Sequence, residues 1–345
     1  MKRTNTKWYV AMLLMAVLAG TACSKSKDVY GGNPVPKDTV TVTPPEAVVT
    51  LPAEWKKSSS MMSGLPAGIE VYNNTSAYNS KAMNAWCVAF DPKNANLEFK
   101  PVLPSVNKKP SVIYAEETGT KYVCINGGFF GTNASYSLVQ YNGTVSAINI
   151  KSLSRTYNGI STPYYPTRGA FGLKSDGTPE VTWVYHVGSG NGTLYSYPVP
   201  SPNALNAAPQ QIPDASFPAG GNIWNVQSAI GGSPILIKNN VINVTDTAEL
   251  IDIDNTSSRA RSAIGFTASG KIIILAIEGG NSSGGVGLTL REVAALMKSM
   301  GCTGALNLDG GGSTYMMVNG QATVKPSDAA GERAVMSAII VKKKG

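Results

Sequence analysis

From residue 85 onward the chain is a succession of short apolar runs separated by turn residues: 86–90 (WCVAF), 121–127 (KYVCING), 180–187 (EVTWVYHV), 234–238 (PILIK), 262–270, 271–280 and 336–343. Runs of this length, rich in β-branched and aromatic residues and bounded by Gly, Asn, Asp or Ser, predict strands. Asn142-Gly143, Asp176-Gly177 and Ser269-Gly270 mark turns, and the last joins 263–266 to 272–277 as a hairpin. Helical periodicity is clear in one place. Leu290, Val293, Ala294, Met297 and Met300 recur on one face, Thr289-Leu290-Arg291-Glu292 has capping-box spacing, and Gly301 follows, which predicts a helix over 289–300. A shorter helix is expected within 110–119. Strands outnumber helices without regular βα alternation, so the expected class is α+β: a β-rich single domain with few helices packed on antiparallel or mixed sheet.

The N-terminus follows another pattern. Lys2, Arg3 and Lys7 precede an apolar stretch at 8–18, and Ala19-Gly20-Thr21-Ala22 supply small residues before Cys23. This resembles a bacterial lipoprotein signal, with 1–22 removed and Cys23 acylated as the first residue. Residues 23–52, with Gly31-Gly32 and Pro34, Pro36, Pro44 and Pro45, read as an extended tether. The globular domain is then 53–345, held at the membrane of a bacterial envelope, the outer membrane being favoured, by the lipid on Cys23.

Formal charge is +8, but part of it lies in the signal and in the terminal run Lys342-Lys343-Lys344; no clustered basic module suggests nucleic acid as a partner. Cys87 and Cys124 sit in apolar runs and Cys302 follows Gly301. Their spacing fits no zinc pattern, so they read as buried small residues. The 155–225 region carries Tyr157, Tyr164, Tyr165, Trp183, Tyr185, Tyr195, Tyr197 and Trp224. Their faces are candidates for a sugar-stacking rim, although core or loop anchoring is the commoner use.

Candidate chemistry narrows by what is missing. The single histidine, His186, lies in a strand-like run and reads as a packed, hydrogen-bonded residue, which excludes histidine triads and multi-histidine zinc sites. Gly284-Gly285-Val286-Gly287 lacks the Gly-Lys-Ser/Thr ending of a P-loop. Carboxylates and arginines remain. Asp309 ends an apolar run and is followed by Gly310, Gly311, Gly312, Ser313 and Thr314. Such a turn allows close ligand approach and can form a concave anion site beside an acid or base. A glycine-rich hairpin whose Asp caps its own turn is the plainer alternative. Asn126-Gly127-Gly128 ends a second strand, Arg261 begins another, Glu278-Gly279-Gly280 closes the next, and Glu332-Arg333 leads into the last.

Together 125–130 (INGGFF), 261–265 (RSAIG), 287–301, 305–320 (ALNLDGGGSTYMMVNG) and 331–340 resemble the phosphodiester glycosidase family, over 85–341 and in consistent order. The resemblance implies hydrolysis of a glycosyl phosphodiester to a free sugar, N-acetylglucosamine-like, and a phosphomonoester. It implies a site centred on Asp309, with Glu278 as the other candidate acid–base group at a strand end where the family commonly has an Asp-Gly-Arg type sequence. Asn126, Gly127, Arg261, Gly310, Gly311, Gly312, Ser313, Thr314 and Arg333 are the expected substrate-binding residues. A divalent cation such as calcium, as in some relatives, is a candidate cofactor that no motif specifies. The alternatives are a glycan-binding lipoprotein without catalysis and a metal-dependent phosphodiesterase that cleaves the P–O bond.

Overall fold

A computed structural model describes residues 47–251, 255–280 and 284–345, all within one compact unit. The segment expected to be a signal sequence, Cys23 and the expected tether up to residue 46 lie outside the described residues. The short apolar runs pair into three larger antiparallel sheets. The first has eight strands in the order Lys56–Lys57, Ile69–Asn74, Ala85–Phe90, Ile272–Ile277, Arg261–Thr267, Cys302–Asn307, Ile235–Lys238 and Val241–Ile242. The predicted hairpin is its centre, with Arg261 opposite Ile277 and Phe266 opposite Ile272.

Burial on both faces explains why Ile272–Ile277 has no polar position. Successive side chains still alternate, but each face meets apolar material. Ile272, Ile274 and Ala276 join a core with Ile125, Phe171 and Trp183. Ile273, Leu275 and Ile277 face the other way, toward the helix Leu290–Ser299 through Val293, Ala294 and Met297. Each such isoleucine or leucine contributes roughly 1.5–3 kcal/mol. The helix starts as its sequence predicts. Thr289 Oγ1 accepts from Glu292 N–H and the Glu292 carboxylate accepts from Thr289 N–H, a pairing worth about 1 kcal/mol.

The second sheet runs Gln321–Ala322, Met316–Val318, Lys121–Asn126, Ala338–Lys343 and Leu97–Val102. Val123, Ile125, Ile339 and Val341 point into the same core, while Cys124, Ala338 and Ile340 lie under the helix Pro110–Glu116 through Ile113. The third, seven-stranded sheet comes from 139–231, where only the run 180–187 carries a strand signal, and contributes Val139, Phe171, Trp183 and Ile230 to that core. Glu249 ties this sheet to the first. Fully buried, its carboxylate accepts from Gly169 N–H, Trp183 Nε1, Ser233 Oγ, Ile235 N–H and Thr245 Oγ1 at 2.6–3.0 Å.

The folded body begins earlier than the expected boundary at residue 53. Val49 is buried with Trp55, and its carbonyl accepts from the Tyr72 hydroxyl. The reason is visible in Val48, Val49 and Leu51, three apolar residues that the proline-rich composition around them obscured.

Candidate active site

Strand register brings the sequence-predicted acidic residues to one end of the eight-stranded sheet. Glu278 follows Ile272–Ile277, Arg261 opens the neighbouring strand, and Asp309 lies two residues beyond Cys302–Asn307. The strands that lead to the two carboxylates are two places apart in the sheet, about 10 Å between backbones. The second sheet meets this edge through Asn126. Asp309 N–H donates to Gly127 O at 3.1 Å, so the seam between the two sheets runs directly beneath the candidate acid.

Asp309 sits on a turn that is organised around it. Gly310 N–H donates to Asp309 Oδ1 at 3.0 Å, and Gly311 N–H donates to Ala260 O at 2.8 Å. Gly311 has φ +57°, which suits glycine, and Gly311–Ser313 form one short 3-10 turn. Burial raises the Asp309 carboxyl to about 6, against the opposing pull of the Ser313 hydroxyl, Gly310 N–H and the Arg333 charge. The Ser313 hydroxyl is turned to the Asp309 carboxyl, and the Thr314 hydroxyl is buried without an aligned partner; neither lines the cavity onto which the turn opens. The expected backbone anion nest is therefore partly spent. At least two of its N–H groups serve Asp309 and Ala260.

Other predicted residues have different tasks. Asn126 is fully buried, and its amide group is saturated: Nδ2 donates to Asp309 O (2.7 Å) and Gly127 O (3.2 Å), and Oδ1 accepts from Ser262 Oγ (2.7 Å) and Tyr315 N–H (3.3 Å). Two donors and two acceptor sites are all it has. It braces the seam and has nothing left to offer a sugar. Gly127 is needed for packing, since a Cβ there would lie 2.3 Å from Ser337 Oγ. Arg261, only 4 % exposed, donates from Nε to Leu288 O (2.9 Å) and from Nη2 to Ser257 O (3.1 Å), so the expected anion clamp points into the protein and fastens the loop behind the turn. Glu278 is buried, and its Oε1 accepts from Lys325 N–H at 2.7 Å. Glu332 accepts from Ser111 N–H and Oγ at 2.5 and 2.6 Å, at the first turn of the helix Pro110–Glu116.

The turn opens on a cavity of about 380 Å³, lined by Arg259, Gly279, Gly311, Gly312, Asp328 and Arg333 among others. Arg333 is one of the expected substrate-binding residues. Arg259 and Asp328 are additions that no motif singled out. Arg259 is two residues from Arg261 and held by a bridge to Leu288, while Asp328 belongs to a turn signalled only by Gly331. A larger cavity of about 480 Å³ lies elsewhere, bounded by Arg155, Tyr164, Asp246 and Leu250, and contains none of the predicted site residues.

The aromatic region does not form a rim on the cavity at the glycine turn. Tyr164, Trp183, Tyr185, Tyr197 and Trp224 are buried, and none of the eight aromatics lines that cavity. His186 is buried as expected, but neither ring nitrogen has a hydrogen-bond partner, and burial with the Lys151 charge lowers it to about 4. Cys87, Cys124 and Cys302 are free and buried. Among the described residues no three Asp, Glu, His or Cys side chains gather in a way that would hold a metal. No helix among them is long and apolar enough to cross a membrane.

Comparison with known proteins bears on this geometry. A family model described as phosphodiester glycosidase matches residues 120–342, more than half of the chain. A protein of Bos taurus named N-acetylglucosamine-1-phosphodiester alpha-N-acetylglucosaminidase is 31 % identical over 109 residues, which cover 29 % of this chain and 20 % of that protein. The chain thus spans about a fifth of that relative's length. Among solved structures, the zebrafish N-acetylglucosamine-1-phosphodiester alpha-N-acetylglucosaminidase catalytic domain, auto-inhibited by its pro-peptide, superposes with a TM-score of 0.53 at 18 % identity, over 84 % of this chain and 88 % of that one. A hypothetical protein from Synechocystis gives 0.55 at 19 % identity, over 84 % and 64 %. At these identities the likeness is one of fold.

Proposed function

The chain belongs to the phosphodiester glycosidase family, and from that premise we propose that it hydrolyses a glycosyl phosphodiester at the cavity over the glycine turn that follows Asp309, releasing an N-acetylglucosamine-like sugar and a phosphomonoester. The observation that carries this reading is the placement of Asp309: a half-buried carboxyl raised to about 6 at the head of the glycine turn, whose Gly310, Gly311 and Gly312 line the same cavity as Arg333. Phosphate departs readily as an anion, so the reaction needs charge neutralisation more than protonation of the leaving oxygen. Arg333, which lines the cavity beside the glycine turn, holds the phosphate. Asp309, ionised above about pH 6, takes a proton from water as its oxygen bonds to the anomeric carbon; the C–O bond breaks and its electron pair leaves on the phosphate. Glu278, through Lys325 N–H, and Asn126, through Asp309 O, position this machinery. The same reading extends to the N-terminus: Cys23 carries lipid and holds the enzyme at a bacterial envelope, which incorporation of an alkynyl fatty acid and its loss in Cys23→Ala would test.

The activity is tested by sugar release from an alpha-N-acetylglucosamine-1-phospho-methylmannoside across pH 4–8. Expected is a kcat/KM that rises through about pH 6 and then levels, and loss of at least a hundredfold in Asp309→Asn. A rate flat through pH 6, or an equally active variant, overturns the assignment.

A further inference from the structure

Asp328 and Arg333 close the cavity over the triple-glycine turn. Arg333 Nε donates to Asp328 Oδ2 at 2.8 Å and Nη2 donates to Oδ1 at 3.0 Å, so both carboxylate oxygens engage the guanidinium fork. A Cβ on Gly312 would come within 2.1–2.2 Å of Arg333 Nη2 and of both Asp328 oxygens. The pair therefore rests on Gly312, and the absent side chain is what admits it. The segment that carries the pair is fastened at both ends, by Glu278 to Lys325 N–H and by Glu332 to Ser111. Between these anchors Gly331, at φ +90°, donates its N–H to Asp328 O at 2.9 Å and folds the chain back so that Asp328 faces Arg333.

We infer that Asp328 is a built-in stand-in for the substrate's phosphate: its carboxylate occupies the Arg333 fork in the resting site, and phosphate must displace it to bind. This rests on the function proposed above and assigns a specificity role within it. An arginine fork accepts carboxylate and phosphate with the same two-bond geometry, so one can replace the other without rebuilding the site. The side chains are 45 % and 34 % exposed, and an ion pair so open to water is worth little, so exchange is inexpensive. With Gly310 and Gly311 N–H already committed, the turn itself supplies few donors, and the anion must come to Arg333. A ligand with fewer than two adjacent anionic oxygens loses to Asp328. The internal carboxylate thus rejects neutral glycosides and sets the affinity for phosphorylated ones.

The test is calorimetric titration of the full chain with inorganic phosphate. Removing the competitor in Asp328→Asn is expected to tighten phosphate binding roughly fivefold. Asp328→Ser is expected to do the same, which separates loss of charge from any effect of one side chain on folding. Arg333→Met is expected to weaken binding by about tenfold or more. Phosphate bound no more tightly by either Asp328 variant, equal binding by Arg333→Met, or no binding by any of the proteins overturns the inference. Because the readout is binding, a protein that shows these affinity changes yet releases no sugar from any phosphodiester supports the Asp328 exchange and counts against the proposed hydrolysis alone.

Discussion

Replacing Asn126 with alanine separates a brace from a substrate ligand. The substitution removes four hydrogen bonds at a fully buried position and leaves Asp309 O, Ser262 Oγ and Tyr315 N–H facing an apolar methyl group. The three bonds that cross between chain segments are each worth about 0.5–1.5 kcal/mol net, and a stranded partner adds to the loss, so the total is roughly 2–5 kcal/mol. For a domain of this size that lowers Tm by roughly 3–8 °C. Thermal melts of the full chain followed by near-ultraviolet circular dichroism measure it. Asn126→Asp is expected to fall at least as far. It keeps acceptors for Ser262 and Tyr315, but sets an oxygen against the Asp309 carbonyl where a 2.7 Å bond had been. An Asn126→Ala protein with unchanged Tm and only a raised KM would refute the bracing role and return Asn126 to the substrate.

Two titrating groups give stability effects of opposite sign. Asp309 in the folded chain is raised to about 6 from 3.8, so the native state holds the extra proton, and stability present at low pH is lost as pH rises through about 6; Asp309→Asn should therefore raise the urea midpoint at pH 7.5 by about 1–3 kcal/mol of stability and leave it little changed at pH 4. His186 is lowered to about 4 from 6.5, so the unfolded chain takes the proton first and about 3 kcal/mol of stability is lost as pH falls from 6.5 toward 4; His186→Phe should flatten that slope, and a slope equal to wild type would contradict it. Glu249→Gln replaces an acceptor of five donors with a group that must turn an amide toward some of them, an expected cost of about 3 kcal/mol in urea unfolding; a change within about 0.5 kcal/mol would show that the carboxylate does not tie the sheets together.

The strands and the main helix were legible because their signals are local. Ile272–Ile277 is apolar at every position, and Thr289 with Glu292 announces the helix by side chains that cap its own first turn. The seven-stranded sheet was not legible. Its strands mix polar residues with tyrosines, and only long-range pairing, such as Phe171 with Val181 and Ile230, turns them into a layer. The same limit applies at the site. Asp309 beside three glycines is a local pattern, and the three glycines line the cavity. Asn126 and Arg261 are equally conspicuous in sequence, but the direction of a side chain at a strand end depends on what lies across the seam: Ser262 and Tyr315 for the asparagine, Leu288 and Ser257 for the arginine. Arg259 and Asp328 carried no signal beyond their charge, because their position at the cavity comes from the bridge to Leu288 and the Gly331 turn.

The central claim is that water, activated by Asp309, attacks the sugar carbon rather than phosphorus. Hydrolysis of the alpha-N-acetylglucosamine-1-phospho-methylmannoside in ¹⁸O-labelled water, with both products analysed by mass spectrometry, tests it directly. Label in the released sugar, none in the phosphomonoester, and no turnover by Asp309→Asn is the expected result; label in the phosphate would mean P–O cleavage and would contradict the account.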